Sequence, residues 1–444
     1  MATMHRSSAF VLNLAFAVAV VAQDPAEQKP GTSLPPLRGQ GLIEVTHAEA
    51  NEYVCGVRSF QHGACPTRIG ALFVLVVRTT FAGPGRTGAA TGDLELWRSD
   101  DRGAAWQRAA STPTTGDSEG TLVPDGDNLV CAWSANSDGK WTNVYVQRFD
   151  VAKNEWIGAP EQLTQAAGDE DQYFTPDLAR TDNGTLVVSI GCHRSPPSPP
   201  WQGGWNTGMR ALRPGAKEWT PVQQVNGDSY GVAGSVLVRG DLVDFTYRHN
   251  PGWSNAVHGL RTFDAGTGQL RDASPPMTNA QPDDNSMTAN TGIFCSDGSG
   301  GRTLLHLVGN HGPGRGRLAV TFARGEQPFR TVDLVDDAPL HAGNENSAHF
   351  TLARGPGTQV WAYFSKLGEQ FANLWQCMLE DGVAVSAPRI VVKGEPQQFA
   401  AMSGMRTDGV FCGLHVVVTT RVPKNRGGVV SVFGSWPSRT VWAR

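Results

Sequence analysis

The chain has 444 residues, with 37 Lys and Arg against 41 Asp and Glu and a net charge of −4. That balance supplies no basic stripe for nucleic acid and no polybasic patch for a membrane surface. Gly 52 and Pro 28 imply many turns, and 13 Trp suit large apolar plugs between packed sheets.

Residues 1–22 read as a secretory signal. His5 and Arg6 precede an apolar run from Ala9 to Val21, and Val20-Val21-Ala22 offers small residues for cleavage. The run is too short for a comfortable membrane span. A secreted or periplasmic location follows as the expectation. Residues 23–40, QDPAEQKPGTSLPPLRGQ, are polar and Pro-rich and read as a linker. Residues 41–444 read as a single domain.

Within that domain one unit recurs about every 57 residues, the period of a radially repeated or stacked fold. Each unit has a loop rich in Asp, Asn, Gly or Ser, a short apolar strand, a tight turn and a more apolar strand. The second strands are ALFVLVVR (71–78), NLVCAWS (128–134), GTLVVSIG (184–191), DLVDFTYR (241–248), RTLLHLVG (302–309), QVWAYFS (359–365) and GLHVVVTT (413–420). Units made only of strands predict an all-β fold, a β-propeller of four-stranded antiparallel blades that protects its sheet edges by closing a ring. Seven blades are expected, with six as the alternative if one unit dissolves into loops. In the third unit, TPDLAR (175–180) is the inner strand, and GMRALR (208–213) and EWTPVQQV (218–225) are the two outer ones. Either GLIEVT (41–46) or TVWAR (440–444) is placed to close the last blade as its outermost strand.

The seven cysteines are an odd number. Cys55 and Cys65 are spaced to clip one hairpin or loop. Cys131, Cys192, Cys295, Cys377 and Cys412 lie in or beside strands, where a thiol behaves as a small hydrophobe. No CxxC and no Cys/His grouping has zinc spacing. No metal and no cofactor is expected.

SDDRGAAW (99–106) follows the strand DLELWR (93–98). Asp101 is placed to accept backbone N–H groups of a tight hairpin, Gly103 allows positive φ, and Trp106 can wedge between sheets. Ser99, Asp101, Gly103 and Trp106 occupy the positions of S-x-D-x-G-x-x-W, and the segment resembles the Asp-box of sialidase-like (BNR-repeat) propellers. In that family the box sits on the hairpin between the two outer strands, away from the catalytic face. The resemblance therefore implies a structural role for these four residues. FDVAKNEW (149–156) keeps only an Asp and a Trp, and FDAGTGQL (263–270) lacks the Trp; both read as eroded hairpins. Catalytic sialidases place an arginine in an Arg-Ile-Pro element at the first blade. Here the nearest string is Thr67-Arg68-Ile69-Gly70, without the Pro, and the rest of that catalytic set cannot be carried over.

A propeller's ligand site forms where loops entering the inner strands meet loops leaving the second strands. The entering loops bring carboxylates, among them Asp171 and Asp228. The leaving loops bring Arg78, His193, Arg194, Tyr247, Arg248, His249 and His311. The expected catalytic groups are Tyr247, His249, Asp171 and Asp228, with Arg78, His193, Arg194, Arg248 and His311 binding substrate. Arginine can neutralise a uronate carboxylate while a His or Tyr moves a proton, and carboxylates from different loops suit glycoside hydrolysis. Trp201, Trp205 and Trp253 can stack on sugar rings. GDSYG (227–231) fits G-x-S-x-G but has no strand-then-helix context, so a serine hydrolase is not indicated. The expected function is a secreted carbohydrate-active enzyme, hydrolase or lyase, with a glycan partner and no nucleic acid. The alternative is a non-catalytic propeller that binds a glycan or a protein.

Overall fold

In the computed structural model the described residues are 37–43, 52–56, 72–80, 91–100, 107–115, 117–136, 141–166, 171–194, 204–226, 231–232, 235–249, 257–278, 293–297, 299–308, 317–335, 350–354, 357–367, 372–392, 407–412, 415–421 and 429–435, some of them as backbone alone. They form a β-propeller. The described strands fall into seven antiparallel sheets of four or five strands, called sheets 1 to 7 in the order of their inner strands. The inner strands are Glu52–Gly56, Asp117–Asp125, Asp171–Arg180, Val236–Arg239, Ile293–Ser296, Phe350–Arg354 and Thr407–Cys412. Each apolar strand singled out in the sequence is second in its sheet: Leu72–Thr80, Asn128–Ala135, Leu186–Arg194, Leu242–His249, Gly301–Val308, Gln359–Leu367 and His415–Arg421.

Neighbouring sheets touch in sequence order, and sheet 7 touches sheet 1 through His415–Arg421 and Glu52–Gly56. The ring is latched by the N-terminal segment. Leu37–Ile43 pairs with Val429–Ser435 as the outermost strand of sheet 7. That strand takes in the last residues of the Pro-rich segment as well as the start of GLIEVT.

The second strands of sheets 2 and 3 are buried along both faces because each is covered by a sheet on either side. Ala179, Val187, Met209, Ala211, Val236, Val243, Phe245 and Phe263 make one buried cluster between sheets 3 and 4. Leu237, Leu260, Phe294 and Leu304 make the next, between sheets 4 and 5. Along Leu242–His249 the alternation is clear. Val243 and Phe245 enter the first cluster, while Asp244 reaches Arg302 of sheet 5.

Polar atoms stitch the inner strands together near the axis. Asp177, 2% exposed, accepts from Thr121 Oγ1 of sheet 2 at 3.4 Å and from the Val236 amide of sheet 4 at 2.9 Å. The Phe294 amide of sheet 5 donates to Ser235 Oγ at 3.3 Å. A second recurring device caps the third strand of several sheets. Thr164 Oγ1 accepts the Val144 amide, Asn226 Oδ1 the Thr207 amide and Thr278 Oγ1 the His258 amide, at 2.9, 2.7 and 2.9 Å.

Ser99 ends one strand and Gln107 begins the next, so the segment that resembles an Asp-box falls between the two outer strands of sheet 1. Asp101, Gly103 and Trp106 lie outside the described residues. Both hairpins read as eroded keep the carboxylate that ties the turn, and the first also keeps a Trp. Asp150 Oδ1 accepts the amides of Ala152 and Lys153 at 3.0 and 2.9 Å. Trp156 wedges against sheet 1, its Nε1 donating to the Ser111 carbonyl at 2.7 Å. In the other hairpin Asp264 Oδ1 accepts the amides of Gly266 and Thr267, and Arg271 donates to Oδ2 at 2.8 Å. The first hairpin lacks the motif's Ser and Gly and the second keeps a Gly two residues after its Asp, and each turn has one carboxylate and one residue at positive φ. Asn154 supplies that φ in the first hairpin and Gly268 in the second.

Cys131, Cys192, Cys295 and Cys377 are buried, and Cys131 and Cys377 are free thiols. Burial pushes the Cys131 thiol far up and the Cys377 thiol up to about 12, so both stay protonated, inert hydrophobes. Cys65 lies outside the described residues.

Candidate functional site at the rim

The second strands run parallel to one another around the ring, so their C-terminal ends and the starts of the inner strands share one rim. Sheet 3 gives its fullest view. Asp171, the first residue of the inner strand, is directly opposite Arg194, the last residue of the second strand. Gln172 is opposite His193, and His193 is opposite Trp205 on the third strand. The His193 and Trp205 rings lie 4.5 Å apart at 54°, and Phe174 meets Trp205 edge-on at 5.4 Å. Positions 171 and 194 share one face at the end of this sheet, and His193 and Trp205 share the other.

Sheet 4 adds Arg248 opposite Val232 and His258, and His249 opposite Gly231 and Val257. Sheet 1 adds Arg78, opposite Val54 and Asp93. Asp171, Arg194, Arg248, His249 and Arg78 are placed by their backbone register. Asp228 and His311, with Trp201 and Trp253, lie outside the described residues.

Tyr247 does not serve this rim. Its side chain is 5% exposed and belongs to the apolar cluster between sheets 3 and 4. The ring covers Gly259 of the third strand, on the side away from the axis, and a Cβ on Gly259 would stand 2.3 Å from it. Burial raises the phenol's pKa, with the Arg261 charge opposing. A sequestered phenol that holds its proton more tightly is a poor nucleophile or base. The sequence placed Tyr247 beside Arg248 and His249 without showing that alternation turns it into the packed face.

One pair escaped sequence reading. His258 and His306, 9% and 2% exposed, bring their rings within 4.7 Å between sheets 4 and 5. His306 Nε2 is 2.8 Å from Thr321 Oγ1. They stand almost fifty positions apart, and only ring geometry brings them together. Among the described residues, no group of three or more His, Cys, Asp or Glu could hold a metal ion.

Among solved structures, a protein of unknown function from Dyadobacter fermentans is similar over 90% of this chain and 100% of its own, with TM-score 0.52 and 10% identity. A polysaccharide lyase described as an ulvan lyase is similar over 86% of this chain and 96% of its own, with TM-score 0.49 and 11% identity. A sialidase of Trypanosoma rangeli is similar over 74% of this chain and 56% of its own, with TM-score 0.45 and 9% identity. These likenesses are of fold alone. No family model matches the chain, and no curated protein matches it.

Proposed function

We propose that the protein is a secreted, seven-bladed propeller that acts on a glycan at this rim, by hydrolysis or by elimination. The observation that carries the reading is the backbone register that sets Asp171 opposite Arg194 at the strand ends, next to His193 and Trp205, whose rings lie 4.5 Å apart. A guanidinium there can hold a sugar carboxylate through two parallel hydrogen bonds. The Asp171 carboxylate or the His193 imidazole can move the proton that either reaction requires. The indole offers an apolar face to the sugar ring.

A second reading is a rim that binds a glycan without turning it over. The burial of Tyr247 favours it, because it withdraws one expected proton-transfer group. One experiment separates the two. The purified chain is titrated calorimetrically with uronate-containing, sialylated and neutral polysaccharides, and product formation is followed in parallel. New reducing ends without unsaturation identify hydrolysis, and unsaturated uronate identifies elimination. Saturable binding without product establishes the second reading. Arg194→Ala is expected to weaken an acidic ligand about tenfold or more, since a charge-assisted hydrogen bond contributes roughly 1.5–3 kcal/mol. No binding and no product with any polysaccharide refutes both readings.

A further inference from the structure

We propose that the end of the ring opposite the rim carries a second binding site, between sheets 2 and 3, for a small molecule bearing a tetrahedral oxyanion: a sugar phosphate or a sugar sulfate. This goes beyond the glycan reading and uses none of its residues. A cavity of about 330 Å³ opens there, at the lower end of the volumes that hold small molecules. Arg148, Arg180, Arg213 and Lys217 line it, against the carboxylates of Asp125 and Glu161.

The two carboxylates are already engaged. Asp125 is shared: Arg180 Nε donates to Oδ1 at 2.8 Å and Arg148 Nε to Oδ2 at 3.2 Å. Both arginines spend only Nε on that ion pair. Among the described residues their terminal NH2 groups have no hydrogen-bond partner, and they are the pair that matches an oxyanion's geometry. Glu161 accepts the Trp219 indole N–H at 3.2 Å. Lys217 is exposed and makes no ion pair with any described residue. Four cations therefore face two carboxylates, and among the described residues Lys217 and the terminal NH2 groups of Arg148 and Arg180 are left unpaired.

The cradle is also held in place by sites that only glycine fits. Arg213 donates to the Thr267 carbonyl of sheet 4 at 3.1 Å, and its guanidinium lies where a Cβ on Gly268 would have to be. Gly268 has φ 75°, so two independent requirements fix that glycine. The Arg180 guanidinium lies over Gly184, whose Cβ position is 3.4 Å from a terminal nitrogen. Gly184 itself turns at φ 86° between the inner and second strands of sheet 3. Two of the four cations thus have their stems or heads set against backbone, which reduces the rotamer entropy lost when a ligand is held.

The test is calorimetric titration of the intact protein at low ionic strength with inorganic phosphate, inorganic sulfate, glucose 6-phosphate, glucose 6-sulfate and glucose. Saturable binding of the anions, tighter for the sugar esters and absent for glucose, is the expected result. Binding of only the phosphate or only the sulfate series assigns the ester. Lys217→Ala and Arg213→Ala, both at exposed positions, should each weaken binding about tenfold, with the melting temperature of the free protein unchanged for Lys217→Ala. Raising the salt concentration should weaken binding further, as for any partly exposed charge cluster. No saturable binding of any anion, or binding that both variants leave unchanged, overturns the proposal.

Discussion

Two interfaces between adjacent sheets perform the same task with different chemistry. Between sheets 1 and 2 the joint is aromatic. Trp156 meets Phe149 at 5.2 Å and Trp133 at 5.9 Å, and Phe149 meets Phe73 of sheet 1 at 5.9 Å. Between sheets 4 and 5 a buried ion pair crosses beside the apolar cluster of Leu237, Leu260, Phe294 and Leu304. Asp244, fully buried, takes a bidentate pair from Arg239 at 2.6 and 2.9 Å, a bond from Arg302 of sheet 5 at 3.2 Å and the Thr262 hydroxyl at 2.7 Å. The repeat conserves the shape of the joint and leaves its chemistry free. An aromatic joint gains from area and loses gradually when trimmed. A buried ion pair balances large opposing terms, and fails when one partner is removed.

That contrast is broken most severely by Asp244→Ala. Arg302 is 6% exposed, and its Nε is buried without a hydrogen-bond partner even in the intact protein. Removing the carboxylate leaves a buried guanidinium held, among the described residues, by the Gly325 carbonyl and the face of Phe329. The expected loss is about 3–5 kcal/mol, the range for a buried pair that loses one member. Urea unfolding measures it. A loss under about 1 kcal/mol would mean that water reaches Arg302 and that the pair is not buried in the sense argued.

Trp156→Ala sharpens the other side of the comparison. Trp156 is half-buried, so its loss is expected to cost about 2–3 kcal/mol, below the roughly 3–5 of a fully buried aromatic. Trp156→Phe keeps the ring stack but drops the bond to the Ser111 carbonyl, and should cost about 1 kcal/mol. Equal losses in the two variants would place the energy in the hydrogen bond and not in the wedge.

What could be read from the sequence divides along the same line. The apolar second strands were legible because burial on both faces demands a continuous run, which 128–134 and 184–191 display. Asp150 and Trp156 were undervalued because the motif was judged by its consensus, whereas the turn has its acceptor and its residue at positive φ without the consensus Ser and Gly. Asp244 with Arg302, and His258 with His306, were not legible at all. Their partners come from the next sheet, and neither hydropathy nor spacing encodes which residue of one repeat faces which residue of the next. Tyr247 failed for a related reason. Its place in the chain beside Arg248 and His249 suggested chemistry, while the pleat placed its ring in the core.

The turn carboxylates offer a smaller and more general test. Asp150 is held below its ordinary value first by the Lys153 amide, and Asp264 first by the Arg271 guanidinium. A folded-state pKa below the unfolded 3.8 means that the stabilisation is complete above that value and is lost as pH falls through the folded one. Melting temperature should therefore be insensitive to these groups near neutrality and decline below about pH 4. In Asp150→Asn the acid decline should be shallower. An identical decline in the variant would show that other carboxylates carry it.

The smallest expected effect belongs to Tyr247→Phe, and it is the most informative about function. The ring keeps its place in the apolar cluster that includes Phe245, Val187 and Met209, so most of its buried area is retained. Only the hydroxyl is lost, and stability should change by no more than about 1.5 kcal/mol. Because burial raises the phenol's pKa, the hydroxyl stays neutral through the pH range in which a glycan would be processed. Buried over Gly259, the phenol is withdrawn from a sugar at the rim. Glycan binding and any turnover should therefore match the unmodified protein, with the same pH profile. If turnover falls by a hundredfold or more while the melting temperature holds, Tyr247 reaches the substrate after all. The catalytic site would then extend from the rim into the space between sheets 3 and 4.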